Sequence, residues 1–131
     1  MRLPGSKQIL DRFFAFLVRR RSQAELVRGV MADVFISYAR ADQARAQTLA
    51  VALQQYGWSV WWDRSIVAGD VFDEVIEREL DSAKSVVVLW SNASVSSEWV
   101  RNEAAVAAKR GALVPALIDI TKAPLEFRRK H

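Results

Sequence analysis

Short apolar runs alternate with helical patterns along most of the chain, and this alternation restricts the fold more than any other feature. The apolar runs cover residues 32–38, 58–62, 85–90 and 113–119. Between them, apolar side chains recur every three or four positions over about ten to fifteen residues, as on one face of a helix. Strands separated by helices of this length form parallel βαβ units with right-handed crossovers. The sequence therefore predicts an α/β fold with a doubly wound parallel sheet of strand order 2-1-3-4.

The best delimited helix is predicted over residues 96–111, and it contains one residue that does not fit its surroundings. Serines precede the helix, and its end carries two basic residues followed by Gly111, as expected for its two termini. Glu103 follows Trp99 by one turn and lies at the edge of a face made of alanine and valine. Burying an unpaired carboxylate is costly, so Glu103 should contact a cationic partner or a cleft. The alternative is a glutamate at the rim that reaches solvent.

The predicted topology places a binding crevice near this glutamate. In a doubly wound sheet, ligands bind outside the carboxyl ends of the strands where the strand order reverses, here between the first and third strands. The loops at that point cover residues 38–42 and 91–97, and the second loop leads into the helix with Glu103. A longer loop of mixed polarity, residues 63–70, follows the second strand, and loops of this kind often carry function. Topology and the misplaced acid thus indicate the same region.

The composition excludes several classes of site. The chain of 131 residues has no cysteine, and its only histidine is His131. Disulfides, thiolate metal sites, a multi-histidine zinc site and a histidine-based triad are therefore excluded, and we predict no metal site. Any chemistry has to come from carboxylates, hydroxyls, arginines and backbone groups.

The net charge of +4 is concentrated at the N-terminus. Residues 1–30 hold seven Lys/Arg against two Asp/Glu, a net +5, whereas residues 31–131 hold twelve against thirteen, a net −1. The main domain has no basic stripe interleaved with aromatic residues, so we do not expect it to bind nucleic acid. We divide the chain into a basic extension, residues 1–30, and one domain, residues 31–131.

The basic extension predicts an extra amphipathic helix over residues 9–28. Its polar face is basic, which suits contact with a membrane surface or with a partner helix. Two alternatives stay open: a packing or oligomerisation helix, and a native start at Met31 with the extension not part of the native protein. The longest apolar run, residues 13–18, is too short for a signal-peptide core or a bilayer span. We therefore predict a cytoplasmic protein.

Several short motifs occur in an order that resembles a known family. They are Asp-Val-Phe-Ile-Ser-Tyr at 33–38, Trp62-Asp63 with Gly69-Asp70, the strand Val-Val-Val-Leu-Trp-Ser at 86–91, Ser-Glu-Trp-Val-Arg-Asn-Glu at 97–103, and Val114-Pro115. No single motif is specific, but together they resemble a TIR (Toll/interleukin-1 receptor) domain of bacterial type over residues 32–119. The resemblance implies a flavodoxin-like fold. The family normally adds a fifth strand and a closing helix, which the sequence does not show, so we expect a C-terminal truncation of the domain.

For TIR domains that keep the helix glutamate, the resemblance implies cleavage of NAD at the nicotinamide–ribose bond. Glu103 matches the family's catalytic glutamate, and Trp99 matches the aromatic residue one turn before it. Breaking this bond builds positive charge on the ribose, which a nearby carboxylate stabilises. Nicotinamide leaves as a neutral group, so the reaction needs no strong acid, cysteine or metal. NAD is then a substrate, and no cofactor is expected.

Two further sets of residues complete the predicted site. The substrate contacts besides Trp99 are Ser37, Tyr38, Arg40, Trp62 and Asp63. The loop after the second strand, the family's BB loop, is predicted to mediate TIR–TIR self-association through Arg64, Ser65, Gly69 and Asp70. Trp61 is a further candidate for a flat apolar contact, and Arg64 for a cation that binds phosphate.

The resulting prediction is an NAD glycohydrolase that hydrolyses or cyclises NAD and is activated by self-association. The alternative is a non-enzymatic TIR–TIR interaction module in signalling or in interference with a host pathway. A third interpretation is an effector recruited to a membrane through residues 9–28. The presence of Glu103 favours the enzyme, because an adaptor has no stated need for an acid at that position.

Overall fold

A four-stranded parallel sheet forms the centre of the protein. The computed structural model describes residues 32–66, 72–119 and 122–128. The strands are β1 (Val34–Ser37), β2 (Val60–Trp61), β3 (Ser85–Trp90) and β4 (Leu113–Leu117). Their order is β2-β1-β3-β4, and all three neighbouring pairs are parallel, so the predicted topology is confirmed. The predicted helix over residues 9–28, Gly69 and Asp70 lie outside the described residues.

Three helices of the described residues connect the strands: α1 (Gln43–Gln55), α2 (Phe72–Ser82) and α3 (Glu98–Lys109). The signals at the ends of α3 act as the sequence predicts. The hydroxyl of Ser97 accepts a hydrogen bond from the amide of Val100 at 3.3 Å, and Gly111 adopts a φ of 71° just after the helix. Within the described part of the chain, no helix is long and apolar enough to cross a bilayer.

The two faces of the sheet are covered by different helices. Because successive strand residues point to opposite faces, each strand contributes to both cores. Helices α2 and α3 cover one face, whose buried core is Phe35, Trp61, Val75, Ile76, Leu80, Val86, Val88, Trp90, Val100, Ala104 and Ala107 with smaller residues around them. Helix α1 covers the other face, whose buried residues are Val34, Ile36, Tyr38, Ala46, Ala50, Val60 and Leu89. This layering leaves the carboxyl ends of the strands accessible between the helices.

Strand β2 is shorter than the predicted strand over residues 58–62. The carbonyl oxygen of Trp62 accepts a hydrogen bond from the hydroxyl of Tyr38 at 2.9 Å. At the other end, Ser59 is bound to Asp33 through both its amide and its hydroxyl, at 2.9 and 3.0 Å to Oδ2. At the Trp62 end a side-chain bond thus replaces the sheet ladder. At the Ser59 end the side-chain bonds add to backbone bonds from the amides of Asp33 and Val34 to the Ser59 carbonyl, and Trp58 before them is half exposed.

Residues 122–128, which follow the last predicted strand, pack against the domain. The ring of Phe127 lies 5.3 Å from the ring of Trp90, centroid to centroid, and Ala123 is buried. Arg101 of α3 forms an ion pair with Glu126. The segment contributes isolated apolar contacts and not a repeating apolar face. Its sequence therefore shows no periodic pattern that would predict this packing.

Pro115 lies in β4, the edge strand of the described sheet, opposite Val88. The amide of Val86 donates to the carbonyl of Ala112, and the amide of Ile118 donates to the carbonyl of Trp90. The backbone N–H and C=O groups of the even-numbered residues of β4 therefore point towards β3. The backbone nitrogen of Pro115 points away from β3. The missing N–H removes no bond from the ladder, as expected for a proline in an edge strand.

Candidate functional site

Glu103 lies beneath the carboxyl end of β1, where α3 crosses it, and is only 5% exposed. The hydroxyl of Ser37, the last residue of β1, donates to its Oε1 at 2.7 Å. Arg64 donates to the same carboxylate twice, from Nη1 to Oε2 at 2.8 Å and from Nη2 to Oε1 at 2.9 Å. The predicted cationic partner is thus present, and the alternative of a glutamate at the rim is wrong. Two parallel bonds of this kind hold the carboxylate in one orientation.

The guanidinium of Arg64 is surrounded by aromatic rings. Its central carbon lies 5.4 Å from the ring centroid of Phe35, 5.5 Å from Tyr38, 5.8 Å from Trp61 and 5.2 Å from Trp99. These distances are within the range of cation–π attraction, which strengthens when the cation is desolvated. The Arg64 side chain is 13% exposed. We call these four rings the aromatic cage.

Tyr38 belongs both to the aromatic cage and to the substrate contacts predicted from sequence. Burial raises the pKa of its hydroxyl, and the charge of Arg64 partly opposes this effect. Its hydroxyl donates to the carbonyl of Trp62, whose ring lies 6.5 Å away on the α1 face of the sheet. Tyr38 therefore stays a neutral hydrogen-bond donor at physiological pH and ties the start of the loop after β2 to β1.

A cavity of about 580 Å³ opens in front of this cluster. Its walls come from the loop after β1, the loop after β2 and the start of α3, and consist of Tyr38, Ala39, Arg40, Gln43, Asp63, Arg64, Ser65, Ser97 and Trp99. Glu103 is not part of these walls, whereas Arg64 is. The guanidinium therefore lies between the cavity and the carboxylate.

The structure brings most of the predicted site residues together. Ser37 and Glu103 are hydrogen-bonded to each other. Trp99 lines the cavity, and 40% of its surface is exposed. Asp63 accepts hydrogen bonds from the amide and hydroxyl of Ser65, which shapes the loop at the cavity wall. Trp62 does not reach the cavity walls, because its side chain packs with the α1 face.

Two placements differ from what the sequence indicates. Trp61 is fully buried and stacks on Phe35 with 5.2 Å between ring centroids, so it does not line the cavity. Arg64, grouped by sequence with the self-association loop, is instead bound to the predicted catalytic glutamate. Gln43 at the start of α1 is a cavity residue that the sequence reasoning missed, although its place after the first strand at the point of strand reversal would have identified it.

A second polar network supports the loops next to the site. The hydroxyl of Ser91 donates to the buried carboxylate of Asp42, and the hydroxyl of Ser94 accepts from the Ser91 amide at 2.7 Å. These bonds connect the turn before α1 to the turn after β3, the two loops that flank the point of strand reversal. In the described part of the chain, no group of three acidic, histidine or cysteine side chains could hold a metal ion.

Comparison with known proteins agrees with this architecture. The family model for the TIR domain matches residues 34–131, which is well over half of the chain. A metazoan TIR-STING receptor from C. gigas is similar in structure, with a TM-score of 0.58 and 28% sequence identity; the match covers 66% of this chain and 31% of the receptor chain. The chain thus corresponds to less than a third of that receptor. No curated protein matches the chain in sequence. The chain belongs to the TIR domain family.

Proposed function

We propose that this TIR domain cleaves NAD at the nicotinamide–ribose bond and releases nicotinamide and an ADP-ribose product. The proposal includes a bacterial type of TIR domain, a cytoplasmic location and activation by self-association, as the sequence predicts. The observation that carries it is a buried carboxylate, Glu103, oriented by three hydrogen bonds directly behind a cavity at the carboxyl ends of the strands.

The reaction matches the groups that surround the cavity. As the bond to nicotinamide breaks, positive charge develops on the ribose, and a fixed carboxylate stabilises that charge more in the transition state than in the ground state. Glu103 supplies this charge, and the hydroxyl of Ser37 holds the carboxylate through Oε1. Trp99 offers an accessible ring next to the cavity for stacking against a flat heterocycle. Arg40 is an exposed cation at the cavity wall and suits the diphosphate.

A signalling module without catalytic activity is the second candidate function. The observation in its favour is that both oxygens of Glu103 already have protein partners, as expected for an ion pair that only holds the loop after β2 against α3. In that case the surfaces around the loop would serve TIR–TIR contacts alone. The two functions differ in whether NAD is consumed.

An assay of NAD consumption with chromatography of the products tests the proposal. The wild-type chain is expected to release nicotinamide, and the chromatogram distinguishes linear from cyclic ADP-ribose. Glu103→Gln is expected to abolish release while still showing a cooperative melt. The matched control is Glu98→Gln, an exposed glutamate in the first turn of the same helix, which should retain activity.

A second variant covers the case in which Glu103→Gln does not fold. Glu103→Asp keeps the charge that Arg64 needs but withdraws the carboxylate by one methylene, so it should fold and lose most of the turnover. If wild-type protein at high concentration consumes no NAD, or if either folded variant turns over like the wild type, the catalytic proposal is wrong.

A further inference from the structure

Arg64 occupies a site whose chemistry suits a flat cation. The guanidinium is planar and charged, it lies within 5.2–5.8 Å of four ring centroids, and it contacts a buried carboxylate. Aromatic faces and a carboxylate together form the usual environment for binding a delocalised cation. The side chain comes from a short 3-10 turn, Arg64–Ile66, and not from a helix or strand.

The same side chain separates Glu103 from the cavity. Arg64 is part of the cavity wall and Glu103 is not, and all the hydrogen bonds of the carboxylate go to Arg64 and Ser37 among the described residues. A molecule that enters the cavity therefore meets the guanidinium before it meets the carboxylate. In this arrangement the acid has no open surface for a reacting group.

The substrate of the proposed function carries a group of the same kind. The nicotinamide ring of NAD is flat and aromatic and bears a positive charge at the nitrogen bonded to ribose. If Arg64 left, the vacated space would retain three aromatic faces from the core, the exposed ring of Trp99 and the carboxylate. That set of groups can hold one planar cation at a time.

We propose that Arg64 is a resident competitor at a planar-cation site: its guanidinium fills the aromatic cage and must leave before the charged ring of a substrate can approach Glu103. The proposal rests on the proposed function for its ligand and adds a means of regulation. Any contact that draws the loop after β2 outward, including contact with a second copy, removes the competitor and opens the site.

The Arg64 side chain can move without disrupting the strands or helices, because it comes from a 3-10 turn. Its Nε has no hydrogen-bond partner among the described residues, and its closest polar contacts there are the two bonds to the Glu103 carboxylate, with Tyr38 as a further polar neighbour. The neighbouring Ser65 is exposed and bonds only locally, to Asp63, in the described contacts. In the proposed opening, the Arg64 side chain rotates and residues 63–66 shift, which empties the aromatic cage.

The test measures cation binding directly, without turnover. The probes are 1-methylnicotinamide, a planar aromatic cation without ribose, and nicotinamide, its neutral counterpart. For Arg64→Ala, millimolar 1-methylnicotinamide is expected to raise the melting temperature, whereas nicotinamide is not. For wild-type protein, the same shift should require at least about tenfold more probe, because the cage is free in only a small fraction of molecules.

Arg45→Ala is the matched control, because Arg45 is an exposed arginine of α1 that pairs with Asp119 and is not part of the cavity wall. It should respond like the wild type. If Arg64→Ala does not melt cooperatively, Arg64→Gln takes its place, since it keeps a hydrogen-bond donor towards Glu103 while removing the charge. A probe that restores cooperative melting of Arg64→Ala also supports the proposal.

The result that overturns the proposal is a probe response in Arg64→Ala or Arg64→Gln no stronger than that of the wild type. Equal response to the neutral and the charged probe also overturns it, because the cage would then lack preference for a cation. Failure of the proposed function gives a different result: the charged probe binds the Arg64 variants, but the wild type does not consume NAD. Consumption of NAD without any probe binding overturns the inference alone.

Discussion

The two terminal nitrogens of Arg64 donate to the two oxygens of Glu103, at 2.8 and 2.9 Å, although the residues are 39 positions apart. The pair joins the loop after β2 to the middle of α3, and both side chains are largely buried, at 13% and 6% exposure. Removing one partner of a buried pair leaves an uncompensated charge, whereas removing both does not. The stability of the loop and the availability of the carboxylate are therefore coupled.

A double-mutant cycle should reveal this coupling. Arg64→Met and Glu103→Leu are each expected to lower the free energy of unfolding by about 3 kcal/mol or more. The double variant should lose clearly less than the sum, with a coupling energy of about 1–3 kcal/mol. Urea unfolding of the four proteins measures it. Additive losses would show that the pair contributes nothing beyond the packing of its two side chains.

Ser37→Ala should affect turnover more than stability. The hydroxyl donates to Oε1 of Glu103 at 2.7 Å in a buried position, and losing such a bond costs about 1 kcal/mol. Arg64 still holds the carboxylate while the site is closed, so the fold survives, but once Arg64 leaves, the carboxylate without Ser37 gains freedom to rotate. We expect kcat for NAD cleavage to fall several-fold while KM changes little. Thr48→Ala, which removes an exposed hydroxyl from α1, is the control, and an equal loss there would contradict a role for Ser37 in orienting Glu103.

Glu79 should make the protein less stable as the pH rises. Its side chain is 1% exposed, and burial raises its pKa, although the ion pair with Arg78 partly opposes this. An acid whose pKa is raised in the folded state contributes stability at pH values below its ordinary pKa of 4.5. That contribution is lost as the pH rises through the pKa of the folded state. Glu79→Gln is therefore expected to increase the free energy of unfolding at neutral pH and to flatten its pH dependence above 4.5.

Urea unfolding at a series of pH values checks the Glu79 prediction. Glu77→Gln, at an exposed position of the same helix, should leave the pH dependence unchanged. A neutral-pH stability of Glu79→Gln below that of the wild type would show instead that the charged form of Glu79 is favoured in the folded protein.

Gly111→Ala should destabilise the C-terminus of α3 through the backbone alone. Gly111 has a φ of 71°, and no atom lies within 4 Å of the position that a Cβ would take. Steric crowding is therefore absent, and the cost is that of a left-handed conformation, about 1 kcal/mol. Gly111→Asn should cost less, because asparagine adopts this conformation more readily. Thermal melts rank the three proteins, and an alanine variant as stable as the wild type would contradict the explanation.

The rate of NAD cleavage should rise more steeply than linearly with protein concentration. The cavity is bounded by loops of one chain and faces solvent, and Arg64 closes the way to Glu103 in the single copy. A second copy that contacts the loop after β2 would order the cavity and displace Arg64. Specific activity and molar mass by light scattering, measured across the same dilution series, test this. Constant specific activity from monomer upward would show that one chain holds the complete site.

The strands and helices could be predicted because their apolar residues follow regular periods. The need of Glu103 for a partner was also predictable, since burial of an unpaired acid is costly wherever it occurs. The identity of that partner was not, because Arg64 lies in a 3-10 turn, where no period fixes the direction of a side chain. Trp61 and Trp62 point to opposite faces, but both faces of β2 are covered, so their alternation alone could not show which ring is buried.

Pro115 has a consequence for how copies of this domain meet. Along the outer side of β4, the backbone offers amide donors at Leu113 and Leu117 but none between them, because the intervening outward nitrogen belongs to the proline. A strand from another molecule could not form a continuous ladder with this edge. Pro115 thus protects an apolar strand, with Val114 and Leu117 nearly half exposed, from the edge-to-edge pairing that leads to aggregation. At this edge of the described sheet, contacts between copies would therefore have to use side chains and loops in place of backbone ladder bonds.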